Sequence, residues 1–202
     1  MTNPEQAELQ NLRTIVPADI TLDQLMEKLI AGNVPVDQFG VGNAKTVLHL
    51  LTEIVEGETV MTIDDNHNVY RNVNVLWADV LCELADGKVY ILREDRQEFK
   101  DGRVKRRALG SSIGEKLKPS ESPEDAINRA LQEELGVKTI DRIHKIGYNE
   151  RTFIPDPFPG LESSYQMHKF VTVIPESEFK SEGYVEYQQD KTNYYVWELL
   201  NN

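Results

Sequence analysis

The chain is short of the residues that build covalent or basic frameworks. It has one cysteine, Cys82, in 202 residues. That excludes an internal disulfide and a cysteine-based zinc site, and Cys82 reads as a small apolar strand residue. Basic residues are also scarce: 22 Lys and Arg against 34 Asp and Glu leave a formal net charge of −12. A general nucleic-acid binder needs a basic face for phosphates, so that class is set aside. A free nucleotide is still admissible, because a bound metal ion reverses the local sign of a site. No apolar run reaches membrane-spanning length. The polar, acidic start MTNPEQAELQ lacks the basic-then-apolar layout of a signal peptide. The expectation is a cytoplasmic protein with no membrane and no nucleic-acid partner.

What is present is an ordinary globular composition, 40% hydrophobic and 28% charged, in a chain long enough to bury a core unaided. Residues 1–20 show no period. From Thr21, TLDQLMEKLIAG predicts a short helix, with Thr21 and Gln24 at capping-box spacing and Gly32 at its end. Leu22, Leu25, Met26, Leu29 and Ile30 share one face. NAKTVLHLLTEIVEGE predicts a second helix, capped by Asn43 and closed by Gly57, with a stripe of Val47, Leu48, Leu51, Ile54 and Val55. Helices followed by a hairpin suggest a winged DNA-binding module. However, only Lys28 and Lys45 are basic here, which favours a helical cap that packs on the main domain or makes a homodimer contact.

After Gly57 the period changes to that of strands. TVMTI and VYRNVNVLWADVLCEL flank the turn DDNHN and predict a hairpin, with His67 solvated in the turn. KVYIL is a further strand and Asp101-Gly102 a tight turn. More strands are expected at 142–154, 163–174 and 193–199. The domain boundary therefore falls near residue 58, giving a helical N-terminal extension at 1–57 and an α/β domain at 58–202.

Between the strands lies GEKLKPSESPEDAINRALQEELGV. Ser122 is an N-cap, Pro123 suits the first turn and Gly136 stops the helix. Ala126, Ile127, Ala130, Leu131 and Leu135 form its apolar face. Glu133 and Glu134 occupy the last turn, where the helix dipole disfavours each by about 0.3–1 kcal/mol. Arg129, one turn earlier, offsets part of this. A divalent cation would reverse the sign of the whole problem, since hard oxygen ligands are what Mg²⁺ takes.

The same run resembles the Nudix box, G-x5-E-x7-R-E-U-x-E-E-x-G-U with U aliphatic. Glu121, Arg129, Leu131, Glu133, Glu134, Gly136 and Val137 fall in register, and GEKLKPSESPE is similar to the common form GGKIEPGESPE. The resemblance covers residues 68–199. It implies an α/β/α sandwich with a mixed sheet, and hydrolysis of a nucleoside diphosphate linked to another group. It also implies that box glutamates hold Mg²⁺ or Mn²⁺, and that the metal polarises the diphosphate while water attacks phosphorus. On this basis Arg129, Glu133 and Glu134 are the expected catalytic residues, and Glu115, Glu133 and Glu134 the expected metal ligands.

Three positions depart from the box. Its glycine falls on Glu115, which can offer a backbone carbonyl or its own carboxylate. The glutamate of the GGKIE form falls on Lys118. The glutamate after the arginine falls on Ala130, which lies angularly between residues 133 and 134. A box so altered implies slow turnover, or a non-catalytic nucleotide sensor or protein-interaction module on the same fold.

Lys100, Arg103, Lys105, Arg106, Arg107, Lys116 and Lys118 form a positive stretch that reads as a phosphate clamp or as an exposed hairpin. Arg106 and Arg107 point to opposite faces of a strand, so at most one enters a site. Arg106, Arg107, Lys116 and Phe158 are the expected substrate contacts, with Phe158 able to stack on a base or to pack in a core or lid. Glu162 and Glu186 are candidates for a base outside the box.

Overall fold

The computed structural model describes residues 13–106 and 110–200. Arg107, an expected phosphate contact, lies outside the described residues, as does most of the segment read as irregular at 1–20. By its contacts the chain divides into two compact units, residues 1–74 with 150–166, and residues 75–149 with 167–202. No helix among the described residues is long and apolar enough to cross a membrane.

The first unit holds β1 (Thr14–Ile15), α1 (Leu22–Ala31), α2 (Val47–Val55), β2 (Val60–Ile63) and the start of β3 (Val69–Glu83). It thus contains the helical segment expected at 1–57 and extends beyond it. Helix α1 begins as its sequence dictates. The Gln24 amide donates to Thr21 Oγ1 at 3.3 Å, and the Thr21 amide donates to Gln24 Oε1 at 3.0 Å. Helix α2 starts later than expected. Thr46, not Asn43, caps it, and His49 Nδ1 accepts from the Thr46 amide at 3.1 Å. The reason is upstream: the Lys45 amide donates to the Pro157 carbonyl at 2.8 Å, which holds residue 45 out of the helix.

The face that α2 buries also differs from its apolar stripe. Val47, Leu50, Glu53 and Ile54 are buried, whereas Leu48 and Val55 are exposed. Glu53 turns the helix. Its Oε2 accepts from Arg71 Nη2 at 2.6 Å and from Thr59 Oγ1 at 3.1 Å, and its Oε1 accepts from Lys45 Nζ at 2.7 Å. Arg71 is only 2% exposed. Its Nη1 donates to the Tyr165 hydroxyl at 2.8 Å, and its guanidinium sits 4.8 Å from the Phe158 ring centre. A buried ion pair of this kind holds because both charges are hydrogen-bonded and an aromatic face covers the cation. Around it pack Leu25, Leu29, Leu50, Met61, Val69 and Leu161. Phe158 is therefore a core residue of this unit, itself 2% exposed, and the expectation that it stacks on a base is corrected.

The expected hairpin is present, with β2 antiparallel to β3 from Val60↔Asn72 to Ile63↔Val69. The Asp64 carboxylate organises the turn by accepting from the amides of Asn66 and Asn68, from Asn68 Nδ2 and from the Tyr70 hydroxyl. His67 stands exposed at φ 65°.

The second unit holds the rest of β3, then β4 (Val89–Phe99), β5 (Val104–Lys105), β6 (Ile113–Lys116), α3 (Pro123–Leu135), β9 (Tyr184–Tyr187) and β10 (Lys191–Leu199). Most of β7 (Arg142–Phe153) and β8 (Glu162–Ile174) belongs to it as well. The fold is mixed α/β, a large antiparallel sheet with few helices. β10 lies between β4 and β9, β6 pairs with β3, and β8 pairs with β3 and β7. Asp101-Gly102 makes the tight turn expected of it, with Gly102 at φ 87° joining β4 to β5. Fully buried Ser112 stitches β3 to β4. Its hydroxyl donates to the Leu92 carbonyl at 2.6 Å and accepts from the Val80 amide at 2.8 Å. Helix α3 lays Ala126, Ile127, Ala130, Leu131 and Leu135 into a core with Leu76, Val80, Leu92, Phe170 and Tyr195, the face its sequence specifies.

Glu53→Ala strands a buried guanidinium and is expected to cost about 3–5 kcal/mol. Lys45→Ala removes only the half-exposed partner and is expected to cost less than about 1 kcal/mol. Urea unfolding of the two variants checks the contrast, which disappears if the Arg71 cluster adds nothing.

Candidate active site

Helix α3 is fixed at both ends. Ser122 Oγ accepts from the Asp125 amide at 3.1 Å, and Gly136 closes the helix at φ 67°, a left-handed conformation suited to glycine. With its apolar face buried, the two terminal glutamates diverge. The Glu133 side chain is exposed, and Glu134 is turned inward.

Arg129 binds the helix to the loop before it. Its Nε donates to Glu121 Oε1 at 2.8 Å, and its Nη2 to Glu121 Oε2 and to the Lys116 carbonyl, both at 3.0 Å. Its Nη1 donates to Glu133 Oε2 at 3.3 Å and lies 3.8 Å from Glu115 Oε1. Glu121 Oε2 also accepts from the Lys118 amide at 2.8 Å. The Arg129 hydrogen bond is the main reason that the Glu121 carboxyl is held below its ordinary pKa. The spacing of Glu121 and Arg129 is thus a structural bracket, and Arg129 acts through the carboxylates it positions.

Glu115 stands in β6 opposite Leu76. The non-glycine residues with positive φ among the described residues are Asn33, His67 and Ser120. Glu115 therefore replaces the box glycine without backbone strain, and its Oε1 accepts from the Lys116 amide at 2.9 Å. Ser120 is a departure that the box comparison missed. It sits at φ 63°, where the common form GGKIEPGESPE has glycine.

Glu134 is the electrostatic centre of the site. The Tyr195 hydroxyl donates to its Oε2 at 2.8 Å. Burial raises its pKa most, the Tyr195 bond opposes this, and the charges of Glu186, Glu115 and Glu94 add to the rise, so the carboxyl is pushed up to about 8. Two of those neighbours are held by amides. Gln97 Nε2 donates to Glu94 Oε2 at 3.1 Å, and Asn193 Nδ2 donates to Glu186 Oε2 at 2.5 Å. The register explains the assembly, since Asn193 lies opposite both Gln97 and Glu186, and Tyr195 lies opposite Glu94.

Glu94, Gln97, Asn193 and Tyr195 were not found from the sequence. In a regular strand Glu94 and Gln97 point to opposite faces, but a bulge opposite Tyr194 and Tyr195 lets both be buried. Other expected residues take less central places. Arg106 is exposed and ion-paired with Asp95. Lys116 gives its carbonyl to Arg129. Phe158 and Glu162 belong to the first unit. Ala130 is fully buried in the apolar core beneath the helix.

A hard divalent cation fits the oxygen-only donors around Glu134. Among the described residues no three such side chains form a ready-made ligand set. An ion such as Mg²⁺ takes one or two carboxylates and completes its shell from substrate phosphate and water.

The NUDIX domain family matches residues 76–191, and the chain belongs to that family. A search of curated proteins gives no match. Among solved structures, a MutT/nudix family protein from Enterococcus faecalis is 20% identical with a TM-score of 0.42, over 64% of this chain and 44% of that one. The chain therefore spans less than half the length of that protein. An Ap4A hydrolase from C. elegans is 12% identical with a TM-score of 0.33, over 63% of this chain and 79% of that one. A mutT/nudix family protein from Listeria innocua is 19% identical with a TM-score of 0.30, over 52% and 66%.

The raised pKa of Glu134 has a definite sign. Between its unfolded value near 4.5 and about 8, the folded protein holds a proton that the unfolded chain releases. Metal-free stability should therefore fall as pH rises through that window. Glu134→Gln keeps an acceptor for Tyr195 and removes the ionisation, so its melting temperature should exceed the wild type at pH 8 and lose the decline. Thermal melts in chelator from pH 5 to pH 8 make the check, and parallel curves for the two proteins would contradict it.

Proposed function

We propose that this protein hydrolyses a diphosphate linkage in a small nucleotide-type molecule, with Mg²⁺ or Mn²⁺ bound at Glu134 and Glu115. The observation that carries the reading is Glu134 itself. It is a half-buried carboxyl, crowded by other carboxylates and held by Tyr195, at the inward end of a helix whose arginine bracket is intact. Such a site is costly to the fold unless a cation uses it, and perturbed, clustered carboxyls mark functional positions. When bound, the ion supplies charge stabilisation to the phosphoryl oxygens.

The chain's own groups supply the rest. Arg129 fixes the loop against the helix and so sets the spacing of Glu115, Glu121 and Glu133. Asn193 keeps Glu186 in place beside the cluster, as a candidate base for the attacking water. Lys116, next to Glu115 on β6, is a candidate contact for substrate phosphates.

A second reading, a nucleotide sensor without turnover, draws on Ala130, which puts a buried methyl where the box has a carboxylate. Product release separates the two. Nucleoside diphosphate-linked compounds incubated with wild-type protein and Mg²⁺ should yield nucleoside monophosphate, and Glu134→Gln should reduce the rate by about a hundredfold or more. Binding without any product at high protein concentration would favour the sensor.

Ala130→Glu addresses the departure directly. Because Ala130 is enclosed by Leu131, Leu76 and their neighbours, a glutamate there is expected to cost about 3–5 kcal/mol with or without Mg²⁺. A variant stabilised by Mg²⁺ and turning over about tenfold faster would instead place residue 130 in the site.

A further inference from the structure

We infer that Asn193 is a further ligand of the divalent cation proposed at Glu134, its side-chain oxygen joining the carboxylates as a neutral donor. The inference rests on the metal part of the proposed function and not on hydrolysis. Asn193 lies on β10 and is 4% exposed. Its Nδ2 donates to Glu186 Oε2 at 2.5 Å. An ionised carboxylate only accepts, so the nitrogen end of the amide faces Glu186 and the orientation of the oxygen end is fixed by chemistry. That oxygen, Oδ1, is buried and accepts no hydrogen bond among the described residues. An acceptor buried without a partner is costly, and folded proteins hold few of them.

The surroundings decide what the oxygen takes. Gln97 and Glu186 stand opposite Asn193 on the neighbouring strands, so the three side chains form one row on one face of the sheet. Tyr195, two residues further along β10, shares that face and holds Glu134. The neutral donors of this face are turned to carboxylates, Tyr195 to Glu134, Gln97 to Glu94 and Asn193 to Glu186. What Asn193 adds beyond its donor is therefore an oxygen. The charges of Glu186, Glu115 and Glu94, which bear on Glu134, are all negative. These carboxylates do not by themselves form a three-ligand set among the described residues. A carbonyl oxygen is the other hard donor that suits Mg²⁺ and Mn²⁺. A small divalent cation sits about 2.0–2.1 Å from such an oxygen, nearer than water does, so it can use an acceptor that water does not reach. The Glu186 contact helps. An amide whose N–H is held by a carboxylate has a more basic oxygen, as a carboxylate makes a ligating imidazole more basic.

Mn²⁺ alone is the probe, titrated into the whole chain by calorimetry and by loss of the free-ion paramagnetic resonance signal. Asn193→Leu should weaken Mn²⁺ binding about tenfold or more. Gln188 Nε2 is the other donor to Glu186, at 2.6 Å on Oε1, and Gln188→Leu should bind Mn²⁺ nearly as wild type does. Asn193→Asp keeps the oxygens, loses the N–H, and should bind at least as tightly as wild type. In chelator Asn193→Leu should melt close to wild type, because it deletes an unserved acceptor and leaves half-buried Glu186 to water. A residue that merely holds Glu186 would behave otherwise. Asn193→Leu and Asn193→Asp would then lose Mn²⁺ affinity equally, and Asn193→Leu would melt lower with and without metal. Either result overturns the proposal. So does Mn²⁺ binding by Asn193→Leu equal to wild type, which would reserve the oxygen for a donor on the substrate, and so does a wild type that binds no Mn²⁺ at millimolar concentration. Product release judges the hydrolase reading separately: a wild type that binds Mn²⁺ in this pattern and releases no product fails that reading and upholds this one.

Discussion

The site depends on one guanidinium. Arg129 reaches the Glu121 carboxylate with two nitrogens, the Lys116 carbonyl, and the nearer of the two glutamates in the last helical turn. Those partners come from a strand end, a loop and a helix. A planar fork of donors suits this work, because its directions are set by geometry and little freedom is lost per bond formed. The loop between β6 and α3 is held by that fork and by the Glu121–Lys118 contact. The placing of that loop against the Glu133 side of the helix therefore follows from Arg129.

Around Glu134 the protein does something that stability alone would not favour. A half-buried carboxyl with acidic neighbours on β4, β6 and β9 raises the free energy of the fold at neutral pH. Neutral donors soften this, with the Tyr195 hydroxyl and the amides of Gln97 and Asn193 each serving one carboxylate. None of these donors carries a charge that would cancel the negative potential. The site stays attractive to a cation while its oxygens remain oriented, which is how a binding site differs from a salt bridge.

Local chemistry in the sequence was enough to locate α3 and its buried face, since Ser122, Pro123, Gly136 and the spacing of Ala126 to Leu135 all agree. The β2–β3 hairpin was legible for the same reason, with turn residues between β-branched runs. Long-range effects were not. The buried face of α2 was set by Glu53 finding Arg71, and its start by a hydrogen bond to Pro157, neither visible within the helix. Short strands β6 and β9 carry too little pattern to be read alone. Glu94 and Gln97 share a buried neighbourhood only through a bulge in LREDRQEF, and strict alternation predicts the opposite. Phe158 looked like a ligand platform beside its prolines, and its role as cover for a buried cation appears only once Arg71 is placed beneath it.

The Arg71 cluster also bears on how the chain is made. Glu53 leaves the ribosome early, and Arg71 follows it soon after, but Tyr165 lies 94 residues beyond Arg71. At typical elongation rates of about 5–20 residues per second, the cation would wait roughly 5–20 s for its last hydrogen-bond partner and its aromatic cover. Until then the first unit has helices and a hairpin around an incompletely satisfied charge. Residues 75–149 of the second unit are synthesised in that interval, between the two halves of the first. Folding of the N-terminal unit is thus tied to emergence of a loop far downstream, and a chain truncated before residue 158 would present that unsatisfied charge to the chaperone system.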